Sequence, residues 1–304
     1  MASMLAVPAP LVRFNARFPL RTHPALVPAS KRPLDAPTLW IAPPRASDTL
    51  LSADVECLKW QAFLALRGLT HIRLRTDIAP DGALGGALPN LHVPLSQSPL
   101  GDAGLANTDG ADDGELLAAH AIPAWVDAHV GPAPAADDAL EGYVDAAARI
   151  ESRAWIALLE GVVHAALLIS QPKPSYLHSL LFPKPSAPAS ESLQKLLLPP
   201  PAPLTGLLTF LPPAAVPSSG AIRVNTPAVL SSYRDAVSAL SERLGTDKWF
   251  LGSSGPTPLD ALAFAYLHCI LHAPDSIRID VTRRVNLVAW EWRVRCLVRD
   301  AFAP

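Results

Sequence analysis

Residues 249–272 read WFLGSSGPTPLDALAFAYLHCILH and predict a loop that leads into a buried helix. Thr257 is a favourable N-cap, because its hydroxyl can accept a hydrogen bond from a free N–H of the first turn. Pro258 suits the first helical position, where no N–H is needed. Asp260 can bond back to the N–H of the cap, and its charge suits the positive end of the helix. The following residues are apolar almost all round, which indicates a helix in the middle of a domain.

The sequence that flanks this helix shows a more specific pattern than an ordinary capped core helix requires. Residues 240–245 read LSERLG, residues 248–252 read KWFLG, and Leu259-Asp260-Ala261 then opens a helix that carries Phe264 and Tyr266. This region resembles the C-terminal helical half of the glutathione-transferase fold, and in detail it resembles the metaxins most. The resemblance implies that the capped helix is the centre of the second domain.

Composition sets broad limits on the function. The 304 residues are half hydrophobic and carry a net charge of −2, which argues against broad electrostatic capture of nucleic acid. The three cysteines lack the spacing of a metal site or a redox pair, so a reduced compartment is expected. The 33 prolines must lie mostly in tails and insertions, because helix interiors exclude them.

The sequence predicts no membrane-spanning helix. No uninterrupted apolar run reaches about 18 residues, and the nearest, Ala154–Ile169, contains Glu160 and His164. Residues 1–37 are rich in arginine and contain no acid before Asp35, which is the composition of a mitochondrial presequence. Prolines leave little room there for the amphipathic helix of such a signal, so a flexible tail is the alternative.

The pattern after this tail predicts an α/β domain over residues 38–130. Thr38–Ala42 reads as a buried strand, Val55–Arg67 as a helix that ends at Gly68, and His71–Thr76 as a second strand. A strand–helix–strand order favours a parallel strand pair.

Short motifs in this domain carry a second resemblance. Cys57-Leu58-Lys59, Phe63-Leu64, Gly68-Leu69 and the Gly86-Ala87-Leu88-Pro89 stretch resemble the thioredoxin-like domain of metaxins. The resemblance implies that Pro89 is cis, which costs an X–Pro bond only about 0.5–1 kcal/mol. The fold class is therefore expected to be α/β plus all-α: a thioredoxin-like domain followed by a helical transferase-like domain.

The connection between the domains reads as loop, helix and linker. Residues 96–116 are rich in glycine and aspartate but lack the alternating frame of a calcium loop, so a solvated loop is expected. His120–His129 predicts a helix, and Gly131–Pro134 predicts a linker. The helical domain is expected over 137–304, with a proline-rich insert at 171–225.

Three further helical stretches are expected in the helical domain. Leu140–Ile169 predicts one long helix or two, with Tyr143, Ile150, Trp155, Leu158 and Leu159 on buried faces. Glu160 and His164, four residues apart, are interpreted as a buried structural pair rather than as metal ligands or an acid–base pair. Pro227 begins a helix that runs to Leu244.

The last predicted helix, Val281–Phe302, allows two interpretations. Its apolar stripe is Val285, Val288, Trp292, Cys296 and Leu297, and it is flanked by Arg283, Arg284, Arg293, Arg295 and Arg299. Such a helix can lie on an anionic membrane surface. The alternative is a terminal helix docked on its own domain, with the arginines in water.

A transferase needs a serine, tyrosine or cysteine near the start of the first helix to hold a thiolate. The candidates are Ser47, Ser52 and Cys57, and a helix N-terminus would favour a thiolate there. Asp54 and Glu56 oppose one, so Cys57 is interpreted as a core-facing residue. No catalytic, cofactor-binding or metal-binding residue is therefore assigned. The residues singled out are structural, namely Pro89, Thr257 and Asp260.

The metaxin resemblance implies a non-catalytic subunit that assists the import and assembly of β-barrel proteins. Its implied partners are the β-barrel core of the sorting and assembly machinery, a second metaxin-like subunit and the mitochondrial outer membrane surface, on the cytosolic face. No nucleic-acid partner and no cofactor are expected. The alternative hypothesis is a soluble glutathione S-transferase-like enzyme, because one fold serves many functions.

Overall fold

The N-terminal half is built on a four-stranded mixed sheet. The computed structural model describes residues 36–45, 48–78, 82–94, 114–130, 140, 142–171 and 224–303. The strands, in order β2-β1-β3-β4 across the sheet, are β1 (Thr38–Trp40), β2 (Arg73–Arg75), β3 (Asn90–Pro94) and β4 (Gly114–Ala118). β1 is parallel to β2 and antiparallel to β3, and β4 is antiparallel to β3. The parallel pair predicted from the strand–helix–strand order is confirmed.

Helix α1, Val55–Leu66, connects the parallel strands. Asp54 caps it by accepting a hydrogen bond from the backbone N of Cys57 at 3.0 Å. The helix ends at Gly68, whose φ of +81° lies in the left-handed region that favours glycine. Both flanking strands are shorter than predicted, because the ladder pairs only Thr38–Trp40 with Arg73–Arg75.

The prediction of a solvated loop over 96–116 is wrong for its last residues. Gly114, Glu115 and Leu116 belong to β4, which continues to Ala118 and pairs with β3 along its whole length. Acidic and glycine residues dominate the sequence upstream, and they concealed a five-residue strand that the pairing with β3 stabilises. A short 3₁₀ turn then leads into α2, Ile122–Val130, where a helix was predicted.

Six helices of the helical half lie within the described ranges. They are α3 (Ala146–Leu158), α4 (His164–Ser170), α5 (Thr226–Leu244), α6 (Pro258–Leu271), α7 (Asp275–Thr282) and α8 (Val285–Phe302). Helix α6 is buried from Leu259 to Ile270 and packs against α1, α3, α7 and α8. The capped stretch is therefore the central helix of this half, and together with α8 it packs against α1 of the N-terminal half. The predicted tail, the linker and nearly all of the predicted insert lie outside the described residues.

Helices α3 and α4 form one continuous rod, joined by a π-helical turn at Leu159–Val163. Asp145 caps α3 by accepting a hydrogen bond from Ala148 N at 2.6 Å, so the helix begins later than Leu140. Ile150 was predicted to be buried, but it is 69% exposed, because α3 contacts the core through Ala148 and Ser152.

This rod bears on the prediction that the sequence contains no membrane-spanning helix. Ala146–Ser170 is long and apolar enough to cross a bilayer by length and composition, with a mean hydropathy of 1.5, although the sequence predicted no such helix. The prediction considered only uninterrupted apolar runs, whereas this stretch contains a few charged residues. A third of its apolar window, 33%, is buried inside the protein. Core helices pass the same test, so the finding is weak evidence for a membrane span.

The predicted last helix is two helices. Helix α7 ends at Thr282, and α8 begins at Val285 after the Arg283-Arg284 corner. The buried stripe of α8 contains Leu287, Trp290, Glu291, Val294 and Val298. The predicted stripe instead faces outward, with Val285 78% and Trp292 59% exposed. The prediction chose the stripe without an acid, because a sequence pattern cannot show that Glu291 has a buried partner in His268.

Candidate functional site

A cleft lies where α1, the rod and α6 meet. It encloses a cavity of about 310 Å³, which is the lower end of the usual size of small-molecule pockets. The β1–α1 connection forms one wall, and α4 with the C-terminal end of α6 forms the other. The polar residues that line it are Arg45, Asp54, Glu56, His164, Ser170, Gln171, Tyr266, Cys269 and His272.

Cys57, the first candidate for sulfur chemistry, points into the core rather than into the cleft. Its side chain is 1% exposed, and its sulfur accepts a hydrogen bond from Ala42 N at 3.3 Å. Burial, with a smaller contribution from the nearby Asp54 carboxylate, raises the pKa of the Cys57 thiol to about 12. The prediction of a core-facing cysteine is confirmed, and a thiolate is strongly disfavoured at this position.

Ser52 also has its polar groups bonded within the protein. Its hydroxyl donates to Ala42 O at 2.9 Å and accepts from Asp54 N at 3.2 Å. Its backbone N donates to Gln61 Oε1 at 2.9 Å, and Gln61 Nε2 donates to Leu50 O at 3.0 Å. These bonds fix the β1–α1 connection from inside. Ser47, the third candidate, lies outside the described residues.

Arg45 and Cys269 converge on one backbone carbonyl at the edge of the cleft. Arg45 Nη2 donates to Ala53 O at 3.1 Å, and the Cys269 thiol donates to the same oxygen at 3.7 Å. Burial raises the pKa of the Cys269 thiol, while the neighbouring Arg45 acts in the opposite direction. The two side chains therefore tie the start of α1 to the end of α6.

The helical wall presents polar groups that have no partner within the described part of the chain. Tyr266 is 4% exposed and lines the cavity, yet its hydroxyl makes no hydrogen bond there. His164 packs edge-on against the Tyr266 ring, with ring centroids 5.9 Å apart, and its buried Nδ1 is also without a partner. Burial raises the pKa of the Tyr266 hydroxyl and lowers the pKa of His164.

The predicted hydrogen-bonded pair of Glu160 and His164 is not formed. Glu160 is exposed on the π-helical turn, whereas His164 faces the cleft and contacts Tyr266 instead. Tyr266 and His164 are the residues of this wall whose place in a cleft the sequence did not predict. The sequence signal that could have indicated the cleft was a polar side chain on an otherwise apolar helix, Tyr266 on α6 and His164 on α4.

The three structural residues have the predicted local geometry. The Leu88–Pro89 peptide bond is cis, and the capping box of Thr257 and Asp260 is present. Asp260 accepts from Phe250 N at 2.9 Å and from Thr257 N at 2.8 Å, and the Thr257 hydroxyl donates to it at 2.6 Å. Burial raises the pKa of Asp260 to about 6. Pro89 does not line the cavity described above.

The cleft is equipped to hold a small polar molecule more than to activate a sulfur atom. Arg45 supplies a cation, Asp54 and Glu56 supply anions, and Tyr266 supplies a hydroxyl that makes no hydrogen bond within the described residues. Over the described ranges, no three histidine, cysteine or acidic side chains are grouped so as to hold a metal ion.

Comparison with known proteins supports a transferase-like fold. Residues 233–294 match the family model described as "Glutathione S-transferase, C-terminal domain". This match and the sheet order show a glutathione-transferase-like fold, with a thioredoxin-like region before the helical half. A search of curated proteins by sequence finds no match.

Solved glutathione transferases resemble the chain only distantly. A glutathione transferase family member from Pseudomonas fluorescens, with two glutathione bound, is 11% identical at a TM-score of 0.47, over 88% of this chain and 93% of that chain. A beta-etherase from Sphingobium is 15% identical at 0.47, over 88% and 98%. A glutathione S-transferase from Methylobacterium radiotolerans, in complex with glutathione sulfonate, is 14% identical at 0.46, over 88% and 96%.

Proposed function

We propose that this protein is a metaxin-like, non-catalytic subunit that assists the import and assembly of β-barrel proteins at the mitochondrial outer membrane. One observation carries the non-catalytic part. Cys57 and Ser52, the described cysteine and serine near the start of α1, both form hydrogen bonds within the fold.

The chemistry of a glutathione enzyme makes this observation relevant. Such an enzyme must stabilise a thiolate, and a group that does so needs a free hydrogen or a lowered pKa at an accessible place. The Ser52 hydroxyl donates its hydrogen to Ala42 O, and burial raises the pKa of the Cys57 thiol. The transferase shape then serves as a scaffold, whose surfaces bind partners.

The metaxin part of the proposal is supported by the sequence motifs. The LSERLG helix end, the aromatic pair before Gly252 and the Leu-Asp-Ala helix start lie on α5, the following loop and α6. The partners proposed on this basis are the β-barrel core of the sorting and assembly machinery and a second metaxin-like subunit. The proposed location is the cytosolic face of the mitochondrial outer membrane.

Location and partners can be tested in one experiment. The tagged full chain is expected in the mitochondrial fraction and in a complex with the outer-membrane β-barrel machinery after mild detergent extraction. Carbonate extraction of the same membranes then reports how the protein is attached. A cytosolic pool with no β-barrel partner would contradict the proposal.

The non-catalytic part has its own test in Cys57→Ser and Ser52→Ala. Both variants are expected to retain biological activity if they remain folded, because neither side chain reaches the cleft. Circular dichroism and thermal melting serve as the folding control. Loss of activity in a folded Cys57→Ser variant would contradict the scaffold.

The second candidate function is a soluble glutathione-dependent enzyme, and the free Tyr266 hydroxyl in the cleft favours it. Retention on immobilised glutathione with thiol-dependent turnover, lost in Tyr266→Phe, would support this enzyme. Tyr266→Phe is matched to the native chain in shape and differs only in the hydroxyl. Absence of both binding and turnover would leave the subunit as the better account.

A further inference from the structure

Helix α8 is apolar on two opposite faces. Leu287, Trp290, Val294 and Val298 are buried against the core. On the opposite face Val285 is 78% exposed and Trp292 59% exposed. Ala289 is exposed and Cys296 half-buried on the same outward face. A helix that is apolar on both faces is typical of one covered on both sides.

The outward face carries a shallow, open groove. Trp292 and Arg295 stand at one end of a shallow groove and Thr282 at the other, with Val285, Val288 and Ala289 between them. Ala289 has the smallest side chain of this set, so the groove can accept a large side chain from a partner helix. A concave apolar groove that runs along a helix suits a second helix.

We propose that the occupant of this groove is helix α8 of a second copy of the chain, in antiparallel orientation. The residues of the stripe, Val285, Ala289, Trp292 and Cys296, alternate large and small. In an antiparallel pair centred on Ala289 and Trp292, each Trp292 lies on the Ala289 of the other copy, and each Val285 lies on Cys296. Every large side chain then meets a small one, which is what close packing requires.

A parallel pair lacks this fit. It places Trp292 on Trp292 and Ala289 on Ala289, which overfills one layer and leaves a gap in the next. It also places Arg283 on Arg283, and like charges at close range repel. The alternation of side-chain size thus selects the antiparallel pair.

Charge at the two ends of the helix agrees with the antiparallel pair. Arg283 stands just before α8 and is exposed. Asp300, in the last turn, is exposed on the outward side. In the antiparallel pair, Asp300 of one copy lies within about one helical turn of Arg283 of the other. The helix dipoles of the two copies are also opposed, which is favourable.

This dimer does not depend on the proposed function, since a scaffold and an enzyme could both use it. One helix pair is smaller than a standard interface of about 1,600 Å², so a weak, concentration-dependent dimer is expected. Sedimentation velocity over a concentration series measures it. Trp292→Ala is expected to weaken association about tenfold or more, because buried tryptophans are enriched among binding hot spots.

Ile150→Ala is the matched control for that measurement. Ile150 is 69% exposed on α3, so its truncation removes a comparably exposed apolar side chain from a different surface. It is expected to leave association unchanged. A native chain that remains monomeric at every concentration would overturn the proposal, and so would a loss of association in Ile150→Ala but not in Trp292→Ala.

Disulfide trapping tests the orientation directly. Val285→Cys is expected to form a disulfide with Cys296 of the second copy, because the two positions face each other. Cys57 and Cys269 are buried, which removes them from the reaction. In the double variant Val285→Cys, Cys296→Ser, the new cysteines lie about 16 Å apart along the antiparallel pair, so no covalent dimer is expected.

The trapping experiment has two contrary outcomes. A covalent dimer of the double variant would indicate a parallel pair and overturn the antiparallel assignment. Equal trapping in Ile150→Cys would indicate random collision rather than a defined interface. Each variant is first compared with the native chain by circular dichroism, so that a folding defect is recognised separately.

Discussion

The two sides of the cleft differ in how some of their polar groups are bonded. Behind the β1–α1 wall, Ser52 and Cys57 do not line the cavity, and each has partners inside the protein. On the helical wall, Cys269 and His272 bond to backbone carbonyl oxygens, whereas Nδ1 of His164 is buried without a partner and the Tyr266 hydroxyl makes no hydrogen bond within the described residues. A buried polar group without a partner costs about 1–3 kcal/mol. The first wall therefore stabilises the fold, and the second wall retains binding capacity.

This contrast separates structural polar groups from available ones. Removal of a partnered buried group should cost stability, because its partners lose their hydrogen bonds. Removal of an unpartnered group should cost little, although it can abolish ligand binding. The following predictions test this separation by the change in the free energy of unfolding.

The largest effect is expected at Asp260. Asp260→Ala removes the acceptor of two backbone N–H groups and of the Thr257 hydroxyl, all buried, so a loss of about 3–5 kcal/mol is expected. Urea denaturation followed by circular dichroism measures the loss. Asp235→Ala, at an exposed position on α5, is the control. A loss below about 1 kcal/mol would show that the capping box is not a major structural group.

The second-largest loss of stability is expected at Gln61. Gln61→Leu leaves Ser52 N and Leu50 O without partners on the β1–α1 wall, and a loss of about 2–3 kcal/mol is expected. Gln61→Glu keeps an acceptor for Ser52 N but loses the donor to Leu50 O, so its loss should be intermediate. The same urea titrations measure both variants. If Gln61→Leu were neutral, this wall would be no more structural than the other.

The pair formed by His268 and Glu291 predicts a pH dependence. His268 Nδ1 lies 2.7 Å from Glu291 Oε1, and burial lowers the pKa of His268 below its usual 6.5. The unfolded state therefore binds more protons below about pH 6.5, so stability falls as the pH falls through that value. A loss of stability from this group is therefore expected as the pH falls from about 7.5 to 5.5.

Comparison with His268→Gln isolates this contribution. The variant should show a shallower fall of unfolding free energy over the same range, measured by urea titration at each pH. Asp260 has the opposite sign, because its raised pKa of about 6 makes its contribution decrease as the pH rises through that value. Identical pH profiles for His268→Gln and the native chain would contradict the predicted linkage.

The smallest effect is expected at Tyr266. Tyr266→Phe removes a hydroxyl without a hydrogen-bond partner in the described part of the protein, so stability should stay within about 0.5 kcal/mol of the native chain or rise. Urea denaturation checks this value. Tyr233→Phe is the matched contrast, since the Tyr233 hydroxyl donates to Ile277 O at 2.8 Å and should cost about 1 kcal/mol or more. Equal losses in both would remove the distinction between hydroxyls with a partner and hydroxyls without one.

Local signals in the sequence predicted the parts of the fold that depend on local chemistry. The capping box at Thr257 and Asp260, the cis bond before Pro89 and the parallel β1–β2 pair are all present. The capping box follows from local chemistry, the strand–helix–strand order predicted the parallel pair, and the resemblance to a thioredoxin-like domain implied the cis bond. The predicted domain boundaries and the proposed partners stay predictions.

The errors occurred where a distant partner decides the outcome. Glu291 is buried on α8 only because His268, 23 residues earlier, bonds to it, so the apolar pattern placed the wrong face in the core. Strand β4 is formed by pairing with β3, which its own composition does not indicate. The cleft likewise combines α1, α4 and α6, and no local motif reveals that His164 and Tyr266 meet.

The ion pair between Arg299 and Asp48 has a consequence for biosynthesis. Arg299 Nη1 bonds Asp48 Oδ2 at 2.9 Å across 251 positions of sequence. The loop before α1 therefore gains this partner only when the last turns of α8 have left the ribosome. Helix α6, against which α1 packs, is also made late in translation. The thioredoxin-like half should consequently wait for the end of synthesis to reach its final stability, and a chain released early should be a preferred target for proteases.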